Sequence, residues 1–139
     1  MAGLSPKLPI QRDVADGYSL TKTYTEMILQ NLKGLILTLP GERIMDPAFG
    51  VGLKKYLFEQ HSVITYSNIH ARITNQVEKY MPFVGINDVV FYGPDGIWSS
   101  TNGYLPGIES PNLDPNRLQI KIFLTITPIG RGTTLELKV

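Results

Sequence analysis

Three carboxylates in one stretch of the chain, Glu42, Asp46 and Glu59, are the side chains whose type and spacing could support acid–base chemistry. Glycoside hydrolysis needs two carboxyl groups on either side of the sugar bond, one protonated and one ionised. Nothing in the sequence separates these three in that way. Asp46 precedes Pro47, as at the start of many turns, and Glu42 beside Arg43 is typical of a surface charge. We therefore predict no catalytic residues and no enzymatic activity.

Metal and phosphate chemistry have less support still. His61 and His70 lack a matching acidic cluster, so we expect no metal site. The glycines Gly41, Gly50 and Gly52 do not lie between a strand and a helix in the pattern of a phosphate-binding loop. The chain contains no cysteine, which excludes disulfides, thiolate catalysis and zinc–thiolate sites. We therefore expect no cofactor.

The composition indicates one ordinary globular domain. The chain has 139 residues, of which 42% are hydrophobic and 18% charged, enough for a real core. A formal net charge of +1 gives no electrostatic reason to expect nucleic acid as a partner. No signal-peptide pattern and no membrane-length apolar run are visible. We therefore expect a protein made in a cytoplasm, not secreted by signal peptide and without a membrane partner.

Two amphipathic helices are predicted from apolar residues that recur at three- and four-residue steps. The first covers about 19–37, with Ser19 or Thr21 as its cap. Gly34 within it suggests close packing against another element. The second covers about 63–80 and is stopped by Pro82. The predicted buried stripes are Tyr24, Met27, Ile28, Leu32, Leu35 and Ile36 in the first helix, and Tyr66, Ile69, Ile73, Val77 and Tyr80 in the second.

Strands follow the helices. Alternating apolar and polar residues predict strands at 86–92, 117–127 and 133–139, the last two forming a C-terminal hairpin. The fold class is therefore α+β: two main helices packed on a small, mostly antiparallel sheet. We predict an extended N-terminal arm at 1–18, a single domain at 19–139, and a long loop at 93–116.

The connector, residues 39–59 between the two predicted helices, is the most informative part of the chain. Prolines and glycines interrupt it, so it is neither a simple helix nor a central strand. It nevertheless carries several large apolar side chains, including Leu57, that should be buried. Such a segment is typical of a folded element docked on the core. The residues predicted to hold it are Pro40, Gly41, Pro47, Phe49, Gly50, Leu53 and Phe58.

These residues carry a resemblance to a known family. The run Pro-Gly-Glu-Arg at 40–43, then Asp-Pro-x-Phe-Gly-x-Gly-Leu at 46–53 and Leu-Phe-Glu at 57–59, resembles the sheath-initiator family of contractile tails. That family includes baseplate wedge proteins of phages, initiators of bacteriocin-type particles and a baseplate component of type VI secretion, and is often labelled lysozyme-like. The resemblance covers about 19–139 in the order of its elements.

The resemblance implies a structural protein in the tail baseplate of a virion or related particle. It would link the wedge to the sheath and initiate sheath polymerisation by strand addition, with six copies per baseplate. The implied partners are the tail sheath protein and the baseplate wedge proteins, with tube or hub proteins as further candidates. Two alternatives remain open: a peptidoglycan hydrolase, and a soluble regulatory adaptor, because the family fold is reused by a bacterial anti-adaptor.

The chain departs from the family pattern at one place. Many members carry Glu-Pro-Arg just after the second helix, where this chain has Met81-Pro82-Phe83. The resemblance implies that the family's charged residues there contact other baseplate subunits. That role cannot be carried onto Met81 or Phe83, so we expect a different or less polar contact.

Three sets of residues are predicted to bind partners. Glu42 and Arg43 are charges in a rigid connector, although a surface salt bridge between them is an equal alternative. Trp98 is either a loop anchor or an interface hot spot. The last strand is expected to leave an open sheet edge that templates the sheath. Its residues are Thr133, Thr134, Leu135, Glu136, Leu137, Lys138 and Val139.

Overall fold

Two helices and nine strands are present in the part of the chain that the computed structural model describes, residues 3–15, 17–93, 96–106, 117–127 and 130–138. The helices are α1 (Tyr24–Leu37) and α2 (Val63–Tyr80), with a 3-10 helix at Leu53–Phe58 between them. The strands are β1 (Ser5–Pro6), β2 (Arg12–Asp13), β3 (Gly17–Tyr18), β4 (Leu20–Thr21), β5 (Val84–Gly93), β6 (Gly96–Ser99), β7 (Gly103–Pro106), β8 (Gln119–Ile126) and β9 (Arg131–Lys138). The predicted α+β class is confirmed.

Helix α1 begins later than its apolar pattern suggests. Its N-cap is Thr23, whose hydroxyl accepts the backbone N–H of Glu26, and not the predicted Ser19 or Thr21. The reason is that Thr21 already belongs to β4, which pairs with β1. Tyr24 therefore lies in the first turn, ahead of the core, and is 62% exposed, contrary to the prediction. The buried stripe is Ile28, Leu32, Leu35 and Ile36.

Helix α2 matches its prediction over its whole length. Ser62 caps it by accepting the backbone N–H of Thr65 at 3.2 Å. The helix ends at Tyr80, two residues before Pro82, which cannot continue the helical hydrogen bonding. Tyr80 is half-buried, and the fully buried stripe is Tyr66, Ile69, Ile73 and Val77.

A five-stranded antiparallel sheet in the order β7-β6-β5-β8-β9 forms the second layer. Alternate residues of its strands face the helices, as the period of two requires. A single core between the two layers results, and the opposite face carries polar side chains together with exposed apolar ones such as Phe123. The sheet's contribution to this core is Val84, Val89, Phe91, Leu118, Ile120, Ile122, Leu124, Ile126 and Leu137.

The predicted loop at 93–116 is wrong for its first half, because β6 and β7 form a hairpin there. The Asp88 carboxylate, beside a β-bulge in β5, holds the turn of this hairpin. It accepts the hydroxyls of Ser99 and Ser100, at 2.8 and 2.6 Å, and the backbone N–H of Thr101 at 3.2 Å. The polar residues that favoured the prediction of a loop thus form the turn between β6 and β7. Residues 107–116 lie outside the described residues.

The segment predicted as an extended N-terminal arm folds back beside α1. The backbone N–H groups of Leu4 and Lys7 donate to the carbonyls of Thr21 and Ser19, each at 2.8 Å. The amide of Gln30 on α1 then holds the segment further along. Its oxygen accepts the N–H of Leu8 at 3.0 Å, and its nitrogen donates to the carbonyl of Pro6 at 2.9 Å.

Asp88 is expected to make stability depend on pH in the acid range. Burial raises the pKa of the Asp88 carboxyl, but the hydrogen bonds from Ser100, Ser99 and Thr101 together lower it below its ordinary value of 3.8. A depressed folded-state pKa stabilises the fold above the unfolded value, and this contribution is lost as the pH falls through the folded value. Asp88→Asn should therefore cost roughly 1–2 kcal/mol at neutral pH, since the site is partly exposed.

Urea denaturation of both proteins at neutral pH and below about pH 3 measures this effect, and the difference should shrink in acid. Asp13→Asn is the control, because the one hydrogen bond that the Asp13 carboxylate accepts from the described residues is local, from the N–H of Ala15. A difference between Asp88→Asn and the parent that stays constant with pH would show that the Asp88 charge is not what holds the turn.

Candidate functional site

Hydrogen bonds to the backbone of the connector join it to both helices. The side-chain amide of Gln76 on α2 accepts the N–H of Gly50 at 2.9 Å and donates to the carbonyl of Ala48 at 3.2 Å. On the other side, the N–H of Val51 donates to the carbonyl of Leu35 in α1 at 3.1 Å. The segment therefore bridges α1 and α2 as a docked element.

Gly50 is required where the connector crosses the end of α1. Its φ is +111°, a conformation that side chains rarely adopt, and a Cβ there would lie 2.3 Å from the carbonyl oxygen of Thr38. Gly34, by contrast, has no atom within 4 Å of its Cβ position, so it does not serve the close packing predicted for it.

The apolar side chains of the connector divide into buried and exposed sets. Val51 and Leu53 are completely buried, and Phe49 is half-buried against the core. Phe58 is 96% exposed, so its predicted core role is wrong. The reason is the 3-10 helix: with three residues per turn, Leu53 and Tyr56 face the core and Phe58 points away.

A chain of side-chain contacts joins the connector to the end of α2. The guanidinium of Arg43 lies 4.2 Å from the centre of the Phe49 ring, which meets the Tyr80 ring edge-on at 4.9 Å. The Tyr80 hydroxyl donates to the Asp46 carboxylate at 2.6 Å. Arg43 is therefore stacked on the connector and does not pair with Glu42, its neighbour in sequence.

Glu42 has a local structural role. Its carboxylate accepts the backbone N–H of Leu39 at 3.0 Å, and its own N–H donates to the Leu39 carbonyl at 3.1 Å. Gly41, with φ +90°, donates to the carbonyl of Pro47 at 2.9 Å and closes the same turn. This turn displays Ile44 and Met45, which are 95% and 96% exposed. Sequence reasoning missed this pair, whose only signal was two apolar residues inside a turn-rich, charged stretch.

A cleft of about 630 Å³ lies between α1, the connector and the end of α2. It brings Arg43 together with Met81 and Phe83, the positions where the chain departs from the family pattern. No carboxylate of the described residues lines it. Its lining residues are Leu8, Gln30, Asn31, Gly34, Leu35, Thr38, Arg43, Phe49, Tyr80, Met81 and Phe83.

The other polar candidates do not come together as a reaction centre. Glu42 and Glu59 are exposed, and Asp46 is engaged by Tyr80. The Nδ1 of His61 lies 3.1 Å from the Tyr66 hydroxyl. Across the described ranges no three His, Asp or Glu side chains are grouped to hold a metal ion, and no described helix is long and apolar enough to cross a membrane.

Trp98 belongs to a cluster of rings on the helix-facing side of the sheet. Its ring centre lies 5.4 Å from that of Phe91, 6.4 Å from that of Tyr66 and 6.0 Å from that of His70. It is half-buried on β6, so it anchors a hairpin and not a loop. Its role as an interface hot spot stays a prediction.

Strand β9 is an edge of the sheet, paired only with β8 among the described strands. The N–H of Thr127, which follows β8, donates to the carbonyl of Phe83, which precedes β5. Because the backbone groups of successive strand residues point to opposite sides, the odd-numbered residues of β8 hydrogen-bond to β5 and the even-numbered ones to β9. By register, odd-numbered residues of β9 bond β8. The N–H groups that face outward from the sheet are those of Gly132, Thr134, Glu136 and Lys138.

The side chains of β9 follow the same alternation. Leu137 is buried and Leu135 half-buried against the helices, with Thr133 on the same face. On the opposite face, Glu136 forms a 2.8 Å ion pair with Lys121 of β8. The hydrogen bond from Lys121 lowers the pKa of Glu136. Val139 lies outside the described residues.

Comparison with known proteins decides the family. The family model for baseplate wedge protein gp25 matches residues 22–97, which include α1, the connector, α2, β5 and the start of β6. The chain belongs to this family. Membership gives it a structural role in the baseplate of a contractile tail. Among curated proteins, no sequence matches the chain.

Two solved structures resemble this family member. A chain of the six-fold symmetrised anti-feeding prophage baseplate is 28% identical with a TM-score of 0.61, covering 86% of this chain and 82% of its own length. A candidate tail lysozyme of Geobacter sulfurreducens is 19% identical with a TM-score of 0.64, covering 87% and 94%. At that identity the second likeness shows the fold alone.

The two aromatic rings of the connector should differ in their effect on stability. Phe49→Ala removes a half-buried ring between Arg43 and Tyr80 and should cost roughly 1–3 kcal/mol, less than a fully buried ring would. Phe58→Ala should change the free energy of unfolding by less than about 0.5 kcal/mol, because the ring is exposed. Chemical denaturation measures both, and equal losses would contradict the placement of Phe58.

Alanine at two glycines should have opposite effects. Gly50→Ala meets the Thr38 carbonyl at a strained φ and should cost roughly 2–4 kcal/mol. Gly34→Ala lies in an exposed helix position with free space and should stabilise by roughly 0.5–1 kcal/mol. Thermal unfolding of the two variants tests the docking of the connector, and a neutral Gly50→Ala would refute it.

Proposed function

We propose that this protein links the baseplate wedge to the tail sheath and initiates sheath polymerisation by adding a sheath strand to β9. The observation that carries the proposal is the outward row of backbone N–H groups on β9, which runs for eight residues without a proline. Membership in a baseplate wedge family and the likeness to a prophage baseplate chain support it.

The described residues of this edge carry little of the protection that proteins usually give to such strands: β9 has no proline, and its described charged side chains are those of Glu136 and Lys138. Charged side chains and prolines normally block an exposed edge. Here Glu136 is held toward Lys121 on the face of the sheet by their ion pair, and so does not project across the edge. An incoming strand would gain main-chain hydrogen bonds at alternate residues, which fix its register.

The wedge would contact the opposite layer, at the connector. Glu42 is occupied within its own turn. The surface offered to a partner is therefore Arg43, the exposed Ile44 and Met45, and the cleft beside them. Met81 and Phe83 line that cleft where many family members carry charges, so the contact would be less polar than in those members. Six copies per baseplate, and contacts to tube or hub proteins, belong to the same proposal.

We also propose that the protein is not an enzyme. The Asp46 carboxylate is used to hold Tyr80, and among the described residues that line the cleft there is no carboxylate that could act on a sugar bond. The candidate tail lysozyme shares the fold, which by itself does not carry a function.

Thr134→Pro tests strand addition directly. The N–H of Thr134 faces outward, so proline should leave the β8–β9 pairing intact while removing a donor needed by an added strand. The variant should be folded and enter baseplates, and sheath-bearing baseplates should fall by about tenfold or more when counted by electron microscopy. Thr134→Val keeps the N–H and is the matched control. Normal sheath on Thr134→Pro baseplates would eliminate β9 as the template.

A further inference from the structure

Four apolar side chains within eight residues of sequence are exposed where the connector enters α2. Phe58 is 96% exposed, Ile64 75%, Val63 46% and Leu57 39%. Single exposed apolar residues are ordinary, but four within eight residues form a patch that marks an interaction surface. We propose that this apolar ridge, residues 57, 58, 63 and 64, docks an amphipathic segment of a partner protein that carries carboxylates beside its apolar side chains.

The ridge is presented by a fixed backbone. The N–H of Glu59 donates to the carbonyl of Tyr56 at 3.1 Å, which closes the 3-10 helix behind Phe58. The Thr65 hydroxyl donates to the carbonyl of Gln60 at 3.1 Å, and the Ser62 cap fixes the first turn of α2. A pre-ordered surface loses little conformational entropy on binding, which favours a docking role over accidental exposure.

The charges around the ridge indicate what kind of partner would bind it. Lys54 and Lys55 are exposed beside it, and neither forms an ion pair with any residue that the structure describes. The N-terminus of α2 adds partial positive charge, and its first turn contains no acidic residue. Glu59 is the single acid between the two halves of the ridge. The surface is therefore positive and apolar, which complements an acidic amphipathic segment.

Two further features narrow the assignment. Helix α2 has 18 residues, so about 27 Å separates the ridge from the cleft at the other end of the helix. One compact contact cannot cover both, so the ridge is a site separate from the cleft and from the exposed Arg43, Ile44 and Met45 beside the cleft. A second copy of the chain is disfavoured as the occupant, because pairing two ridges would bring four lysines together.

A photo-crosslinking residue at position 58 tests the proposal in assembled particles. Phe58→benzoylphenylalanine keeps an exposed aromatic ring and should not disturb folding. We expect crosslinks to a peptide of another protein in which at least two apolar residues are flanked by Asp or Glu, as identified by mass spectrometry. The same residue at the exposed Asn75, mid-way along α2, is the matched control and should not reach that peptide.

A synthetic copy of the crosslinked peptide is then tested for binding to the purified chain. Its affinity for variants of the chain measures the apolar and the charged contributions to binding. Phe58→Ala and the double variant Lys54→Glu with Lys55→Glu should each weaken binding by about tenfold or more. Lys33→Glu, on α1, should change it by less than about twofold. A crosslink to this same chain, to a peptide without acidic residues, or to nothing would overturn the proposal, as would unchanged binding by the variants. Because Thr134→Pro leaves the ridge intact, failure here is distinguishable from failure of strand addition.

Discussion

The close crossing of the connector over the end of α1 is the contact on which the rest of the structure depends. Gly50 passes so close to the Thr38 carbonyl that a Cβ would clash with it, while the side-chain amide of Gln76 accepts the Gly50 N–H and donates to the Ala48 carbonyl. This fixes where the chain leaves α1 and where it enters α2. Phe49, which stacks on Arg43 and lines the cleft, and the fully buried Leu53 both lie close to Gly50 in the chain, so their positions depend on that crossing.

The two edge strands of the described sheet differ in length and in proline content. At one edge, β7 is four residues long and ends in Pro106, which has no backbone N–H to donate. At the other, β9 has eight residues and no proline. This difference supports the proposal that an added strand would pair with β9.

Three surfaces of this small domain are thus available for separate contacts. The edge of β9 offers main-chain hydrogen bonds, the connector offers a mixed polar and apolar cleft, and the start of α2 offers an apolar ridge among lysines. Their chemistries are different, which allows one protein to bind several baseplate components without exchanging them. This combination would suit the proposed role as a link between unlike baseplate components.

The sequence alone determined the elements whose signal is local and regular. The bounds of α2, its buried stripe and the alternation of β8 followed from periodicity, because long periodic segments leave one way to bury their apolar face. The connector motif also identified the family, which composition and charge alone did not. These predictions needed no knowledge of which elements pack together.

Only the tertiary structure decided the features that depend on distant residues. Tyr24 is exposed because the residues just before α1 pair with β1, which places Tyr24 in the first turn of the helix. Phe58 is exposed because its segment forms a 3-10 helix with three residues per turn. The β6–β7 hairpin exists because Asp88, eleven residues before Ser99, supplies the hydrogen bonds of its turn. Burial and pairing are properties of the whole packed chain, so a local pattern predicts which residues favour the core but not which of them reach it.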